Sequence, residues 1–273
     1  EFTHRLLSRR ETILLGGDPV TGKTWTYIMM AQRAYEEAQA TGKDSPRFFV
    51  FDLDDTLGAY LDADGGGEFA HLYVENGGNI YPYPAMTWAE IGGAVRVVES
   101  LAQRSDWIVW DTISRLYDRA QQQFAASMGT TVEDLIAAKI DKMGINRAGF
   151  GAFEPSEWNA IGRMHDAFFD HLITQTRANI LALAHVREQV EKRAKREGKF
   201  LYDSFGLEPV TAPRVSKVME TSILLYSWLV IRKDERGGRV GAPVARREMA
   251  IAKDRGKAYG VRVPYDTDLY ETL

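Results

Sequence analysis

The sequence predicts an α/β protein with a mainly parallel central sheet flanked by helices and a C-terminal β-hairpin. Short apolar runs alternate with amphipathic helical stretches up to residue 185, which is the pattern of strand–helix–strand units. Several apolar runs end in an acidic or polar residue. In parallel sheets, ligands bind at the carboxyl ends of the strands, where such residues are placed. The 273 residues are 45% hydrophobic, which is enough to bury one large core.

Composition narrows the class of protein. The 34 basic residues nearly balance the 38 acidic ones, and the net charge of -4 allows only a local nucleic-acid-binding patch. The absence of cysteine excludes disulfides and thiolate metal sites and fits a reducing compartment. No signal peptide is visible, and the longest apolar runs, such as 223–231, are shorter than the roughly 20 residues of a membrane span. We therefore expect a cytoplasmic protein without membrane contact.

The first strong motif is a phosphate-binding loop of the pattern G-x-x-x-x-G-K-[ST]. An apolar strand at 12–15 precedes it, a helix over 25–40 follows it, and the motif reads Gly17-Asp18-Pro19-Val20-Thr21-Gly22-Lys23-Thr24. In such a loop the backbone N–H groups surround the phosphates, the lysine reaches the β/γ oxygens and the hydroxyl binds Mg²⁺. The motif predicts that residues 17–24 and the following Trp25 bind ATP, with Mg²⁺ on Thr24.

The next strand ends in three aspartates and allows two interpretations. The stretch FVFDLDDTLG, residues 49–58, is similar to the first motif of haloacid-dehalogenase phosphatases, in which Asp52 would attack phosphate and Asp54 would handle the proton. Such an enzyme also needs an acidic pair after a third strand, and none follows. It would moreover share one strand–helix unit with the P-loop. The phosphatase therefore stays a minor alternative.

A second acidic strand end supplies the other metal ligand that a P-loop needs. The run Trp107–Asp111 predicts a strand that presents Asp111 to Mg²⁺. A helix over 87–103 precedes it, opening on the capping box Thr87–Glu90, with an apolar face of Ile91, Val95, Val98 and Leu101. After a mixed segment with a helix near 130–141, an amphipathic helix from Ser156 to Thr176 leads to the strand Ile180–Ala184 and His185.

The C-terminal third differs in charge and pattern. Residues 187–199 hold six basic and three acidic side chains. Two predicted strands, 222–232 and 244–252, flank a turn at Gly237-Gly238 and lead into the basic turn Lys253-Asp254-Arg255-Gly256. A last short strand is predicted at 261–264.

This order of elements resembles the RecA/DnaB superfamily of oligomeric P-loop ATPases, and most of all the compact RecA-like recombination ATPases of phages. The resemblance covers nearly the whole chain. It implies a RecA-like P-loop NTPase fold in a single domain, 1–273, with 114–155 and 187–217 as inserted or mobile segments. It also implies Mg-dependent ATP hydrolysis by a hexameric ring or filament of this chain. Such a protein would act on single-stranded DNA in recombination, annealing or replication, in a bacterial host cytosol.

The same resemblance implies roles for individual residues. Asp54 stands where the family usually has a catalytic glutamate, although Asp52 or Asp55 could hold that role. His185 matches the polar sensor of the γ-phosphate, and Lys253 with Arg255 matches the finger pair that enters a neighbouring subunit's site. The position of the DNA-gripping loop falls on five basic residues: Arg187, Lys192, Arg193, Lys195 and Arg196.

Two other functional classes stay open at the level of sequence. One is a P-loop kinase, including a polynucleotide-kinase-like enzyme, which would pass phosphate to an acceptor other than water. The other is an assembly protein that ATP switches without any contact with DNA.

Overall fold

The computed structural model describes residues 10–18, 21–62, 67–84, 87–143, 153–188, 207–209, 215, 219–230, 244–253 and 262–264. In this part of the chain an eight-stranded sheet forms the centre. Its strands are β1 (Thr12–Gly17), β2 (Phe48–Asp52), β3 (Ile80–Tyr83), β4 (Trp107–Asp111), β5 (Asn179–Ala184), β8 (Thr221–Val230), β9 (Val244–Lys253) and β10 (Arg262–Pro264). A separate antiparallel pair consists of β6 (Val186–Glu188) and β7 (Leu207–Pro209).

The strand order is β10-β9-β8-β1-β5-β4-β2-β3. All pairings from β8 to β3 are parallel, whereas β9 is antiparallel to both β8 and β10. The strand β5 therefore lies between the P-loop strand β1 and the acidic strand β4. The described residues thus form an α/β fold with a mainly parallel central sheet flanked by helices, as the sequence predicts.

Helices cover both faces of the sheet. They are α1 (Lys23–Thr41), α2 (Gly58–Leu61), α3 (Trp88–Leu101), α4 (Ile113–Ser127), α5 (Val132–Met143) and α6 (Pro155–Gln175). One face packs against α1 and the connection between β2 and β3, and the other packs against α3, α4 and α6. None of the described helices is both long enough and apolar enough to cross a bilayer.

The central strands are continuous apolar runs because both of their faces are buried. In β2, Phe48 and Val50 belong to the core beneath α1, while Phe49 and Phe51 belong to the core on the opposite face. Successive residues of a strand point to opposite faces. This alternation turns the side chain that follows Phe51, the aspartate at 52, toward the α1 side.

A buried carboxylate fixes β2 against β4 at their amino ends. Asp106 is 2% exposed and accepts hydrogen bonds from the Arg47 backbone N–H at 2.8 Å, Arg47 Nη2 at 2.7 Å and the Gln103 N–H at 2.7 Å. A buried charge that is paired and hydrogen-bonded in this way tolerates little displacement. The register it holds places Asp52 opposite Asp111 at the carboxyl end of the two strands.

Most predicted elements are confirmed within a few residues, including the capping box of α3, where the Thr87 N–H donates to Glu90 Oε2 at 2.7 Å. Leu101, expected on the buried face, is 51% exposed because it is the last residue of α3 and the chain turns away there. The prediction missed β3, α2, α4 and the antiparallel pair of β6 and β7. The turn at 237–238 lies outside the described residues, so the hairpin connection stays a prediction.

Candidate nucleotide site

The P-loop joins the buried strand β1 to the first turn of α1. Gly22 caps the helix with φ of 96°, in the left-handed region that glycine occupies without steric cost. Thr21 Oγ1 donates to the Asp18 carbonyl at 2.7 Å and tightens the loop. Pro19 and Val20, which were predicted to contribute to the same loop, lie outside the described residues.

Lys23 lies folded over the loop. Its side chain is 7% exposed, and Nζ donates to the carbonyls of Gly17 at 2.8 Å and Asp18 at 2.9 Å. Burial lowers the pKa of Lys23, and the charges of Asp111, Asp18 and Asp54 oppose this shift. Phosphate oxygens would offer the ammonium charged acceptors, which bind a cation more strongly than carbonyls do.

Thr24 and Asp111 meet between α1 and the end of β4. Thr24 Oγ1 donates to Asp111 Oδ2 at 2.8 Å, and Asp111 is 2% exposed. Burial, with the negative charges of Asp52 and Asp54, raises the pKa of Asp111 to about 6. A hydroxyl and a carboxylate are the hard oxygen ligands that Mg²⁺ takes in addition to water and phosphate oxygens. These residues therefore fit Mg²⁺, whose charge would stabilise the ionised carboxylate.

Asp54 lies at the centre of a polar network at the carboxyl edge of the sheet. Its Oδ1 accepts from Arg115 Nε at 2.8 Å, and its Oδ2 accepts from Thr112 Oγ1 at 3.2 Å and lies 3.4 Å from His185 Nε2. Hydrogen bonds from His185, Arg115 and Thr112, against the effect of burial, lower the pKa of Asp54 to about 2. The network joins the ends of β2, β4 and β5 around an ionised carboxylate.

The other two aspartates of the β2 end have different contacts. Asp52 accepts the backbone N–H groups of Thr56 at 3.1 Å and Leu57 at 2.8 Å, and so stabilises the turn after β2. Asp55 is exposed and has a φ of 54°. Among the three aspartates, these contacts favour Asp54 as the candidate catalytic carboxylate. They also weigh against Asp52 as a phosphatase nucleophile, because both of its oxygens already bind the turn.

His185 follows β5 directly and is held by its main chain. Its backbone N–H donates to Ser114 Oγ at 3.1 Å, and its side chain is 31% exposed. The ring reaches Asp54, while Nδ1 contacts no hydrogen-bond partner within the described residues. The position next to Asp54 is compatible with the sensor role predicted for His185.

Trp25 contributes its side chain to the core rather than to the loop. Its ring packs edge-on against Phe69, with the ring centres 5.1 Å apart, and lies 6.3 Å from Tyr60. Only the backbone of Trp25 is therefore in a position to contact a phosphate at the start of α1.

The remaining predicted residues are described only in part. Lys253 is the last residue of β9, and Arg187 lies in β6. For both residues the structure describes the backbone but not the side chain. The finger residue Arg255 and four of the predicted DNA-binding residues, Lys192, Arg193, Lys195 and Arg196, lie outside the described residues.

Three site residues were missed in the sequence: Thr112, Ser114 and Arg115. All three follow Asp111 within one helical turn, and each contacts a residue on another strand end. The one signal in the sequence was their position directly after an acidic strand end.

No protein-family model matches this chain, and no curated protein matches it either. Among solved structures, the chain is similar to one titled "Crystal structure of the RadB recombinase", with a TM-score of 0.42 and 11% sequence identity. The similarity covers 93% of this chain and 86% of that one.

Proposed function

We propose that the protein is a Mg-dependent ATP hydrolase of the RecA-like class. The observation that carries this proposal is the 2.8 Å contact between Thr24 Oγ1 and Asp111 Oδ2, beside the buried Lys23. It joins a P-loop to an acidic strand end on the far side of β5. P-loop NTPases place a magnesium–phosphate complex on such a set of groups.

The residues of the site would divide the work as follows. The loop amides and Lys23 bind the β- and γ-phosphates, and Thr24 with Asp111 holds Mg²⁺, which supplies positive charge to the phosphate oxygens. Asp54, ionised at neutral pH, accepts a hydrogen bond from the attacking water and orients it. Thr112 and His185 contact the same carboxylate at Oδ2.

The proposal extends to assembly and to DNA through the resemblance of the sequence. We expect the chain to act as one domain in a ring or filament in the cytoplasm, with Lys253 and Arg255 completing the site of a neighbouring subunit. The basic residues between 187 and 196 would contact the phosphates of single-stranded DNA, with an affinity that falls as salt rises. A role in phage recombination, annealing or replication is the corresponding biological expectation.

The deciding experiment is steady-state ATP hydrolysis with Mg²⁺, measured with and without single-stranded DNA. Lys23→Ala should abolish tight nucleotide binding, because the variant loses the buried cation of the phosphate site. Asp111→Asn should weaken the Mg²⁺ dependence and reduce hydrolysis more than binding. Unchanged Mg-ATP turnover in both variants would reject the proposed function.

Two further results would replace it by an alternative. Transfer of the labelled γ-phosphate to an acceptor other than water would indicate a kinase. Hydrolysis that single-stranded DNA neither stimulates nor inhibits, together with nucleotide-dependent oligomerisation, would indicate an ATP-switched assembly protein.

A further inference from the structure

Arg115 lies in the first turn of α4 and belongs to neither the P-loop nor the acidic strand end. Its side chain is 57% exposed, yet it makes two directed contacts. Nε donates to Asp54 Oδ1 at 2.8 Å, and Nη1 lies 3.7 Å from Asp118 Oδ2 one turn further along the helix. The planar guanidinium is thus held between a helix carboxylate and the carboxylate of the proposed water-orienting residue.

The two oxygens of Asp54 have unequal partners. Oδ1 takes the short, charged hydrogen bond from Arg115, whereas Oδ2 has the longer contacts to Thr112 at 3.2 Å and His185 at 3.4 Å. All three partners contact an ionised carboxylate, but only Arg115 is a permanently charged donor, and its distance is the shortest of the three. Oδ1 is therefore the fixed oxygen, and Oδ2 is the one that can exchange a partner for water at low cost.

We propose that Arg115 is a positioning residue for ATP hydrolysis, which holds Oδ1 of Asp54 so that Oδ2 is presented to the attacking water. This inference rests on the proposed function. An ion pair with one partner more than half exposed contributes little to folding stability. The expected effect of the pair is therefore on the position of the Asp54 carboxylate rather than on folding stability. A displacement of about 1 Å in a reacting group can reduce turnover by about 100-fold.

The first test separates turnover from binding. Arg115→Ala should lower kcat by about 10- to 100-fold while the KM for ATP and the melting temperature stay close to the wild-type values. Arg115→Lys should give intermediate turnover, because an ammonium can pair with Asp54 but cannot contact two carboxylates as a guanidinium does. Arg119→Ala is the matched control, since Arg119 lies one turn along α4 and donates to Gln122 at 3.0 Å.

A double-mutant cycle tests whether Arg115 acts through Asp54. In the Asp54→Asn background, Arg115→Ala should reduce the residual turnover by less than about threefold, because the group that it positions is already lost. An equal loss in both backgrounds, or wild-type kcat in Arg115→Ala, would overturn the inference. Absence of hydrolysis in the wild type would instead reject the proposed function, and the positioning role with it.

An NMR measurement without nucleotide tests whether the Arg115 side chain is held by Asp54 or by Asp118 of its own helix. In ¹H–¹⁵N spectra, the Nε–H signal of Arg115, assigned by its loss in Arg115→Lys, should shift in Asp54→Asn and change much less in Asp118→Asn. The opposite pattern would show that Arg115 is held by its own helix and would overturn the positioning role even if ATP is hydrolysed.

Discussion

Three aspartates within four residues have three different environments at the end of β2. Asp52 binds backbone N–H groups of its own turn, Asp54 binds side chains from two other strand ends, and Asp55 is exposed. Ligands of parallel sheets bind at the edge where the carboxyl ends of the strands meet. A side chain that contacts residues from several strand ends, as Asp54 does, therefore lies where a ligand can contact it.

The first prediction concerns Asp54. Asp54→Asn should retain ATP binding and lose hydrolysis by about 100-fold or more, since the amide is a poor acceptor for the proton of water. Asp55→Asn is the control, because asparagine tolerates the left-handed backbone at that position. Binding is measured by calorimetry and turnover by phosphate release. Equal losses in the two variants would remove Asp54 from the proposed role.

For individual residues, the sequence predicts those that belong to short motifs. The P-loop, Asp111 and the aspartates of β2 stand in short patterns whose chemistry is known. Arg115 and Thr112 could not be found in this way, because their partner Asp54 is about 60 residues away and the contact depends on the register of β2 and β4.

Among the elements, α6 carries an unusual buried histidine. His165 is 0% exposed, stacks on Phe169 with ring centres 5.1 Å apart and meets Tyr117 at 5.3 Å. Neither ring nitrogen contacts a hydrogen-bond partner within the described part of the chain. Burial lowers the pKa of His165 from 6.5 to about 4.

The second prediction is a loss of stability at mildly acidic pH that depends on His165. Because the folded-state pKa of His165 lies below its unfolded-state value, the contribution of this residue to stability is fully present above pH 6.5 and is lost as the pH falls toward 4. The loss from this residue amounts to about 3 kcal/mol. In His165→Phe the free energy of unfolding should fall less between pH 7 and 4.5.

Denaturant unfolding at several pH values measures this difference. His71→Gln, which replaces an exposed histidine, is the control variant. Identical slopes for His165→Phe and the wild type would show that His165 is protonated in the folded protein as readily as in the unfolded chain.

The elements that the sequence analysis missed have weak patterns for physical reasons. β3 is four residues long and contains Pro82, which usually argues against a strand, but an edge position tolerates it. α4 buries Ile113, Ser114, Leu116, Ala120 and Ala125. Only two of these five are large apolar residues, so the segment looks polar when only large apolar residues are counted.

For the whole molecule, the strand order is the feature that sequence patterns do not contain. β1 pairs with β5 and β8, both more than 160 residues later in the chain. Each pairing depends on the packing of the complete sheet rather than on local preference. The local patterns therefore predict a mainly parallel sheet but not the order of its strands.

The third prediction concerns the assembly. If Arg255 completes the site of a neighbour, Arg255→Ala should bind ATP normally and hydrolyse it about 1,000-fold more slowly. Mixing it with Lys23→Ala should restore part of the ATPase activity, because a mixed interface pairs an intact P-loop with an intact Arg255. A mixture that co-assembles and stays inactive would reject the shared site. Turnover per subunit that is constant down to a demonstrated monomer would reject it as well.

The place of Trp25 gives the protein a built-in optical probe. The indole follows Thr24 directly and packs on Phe69 at the start of α1, so a change in the P-loop on nucleotide binding should alter its surroundings. We expect tryptophan fluorescence to change on addition of Mg-ATP to the wild type and the change to be lost in Trp25→Phe. If Trp25→Phe gives the same signal, another tryptophan is the reporter. If the signal is lost in Trp25→Phe, the dissociation constant of unlabelled nucleotide can be measured from the intrinsic tryptophan fluorescence of the wild-type protein.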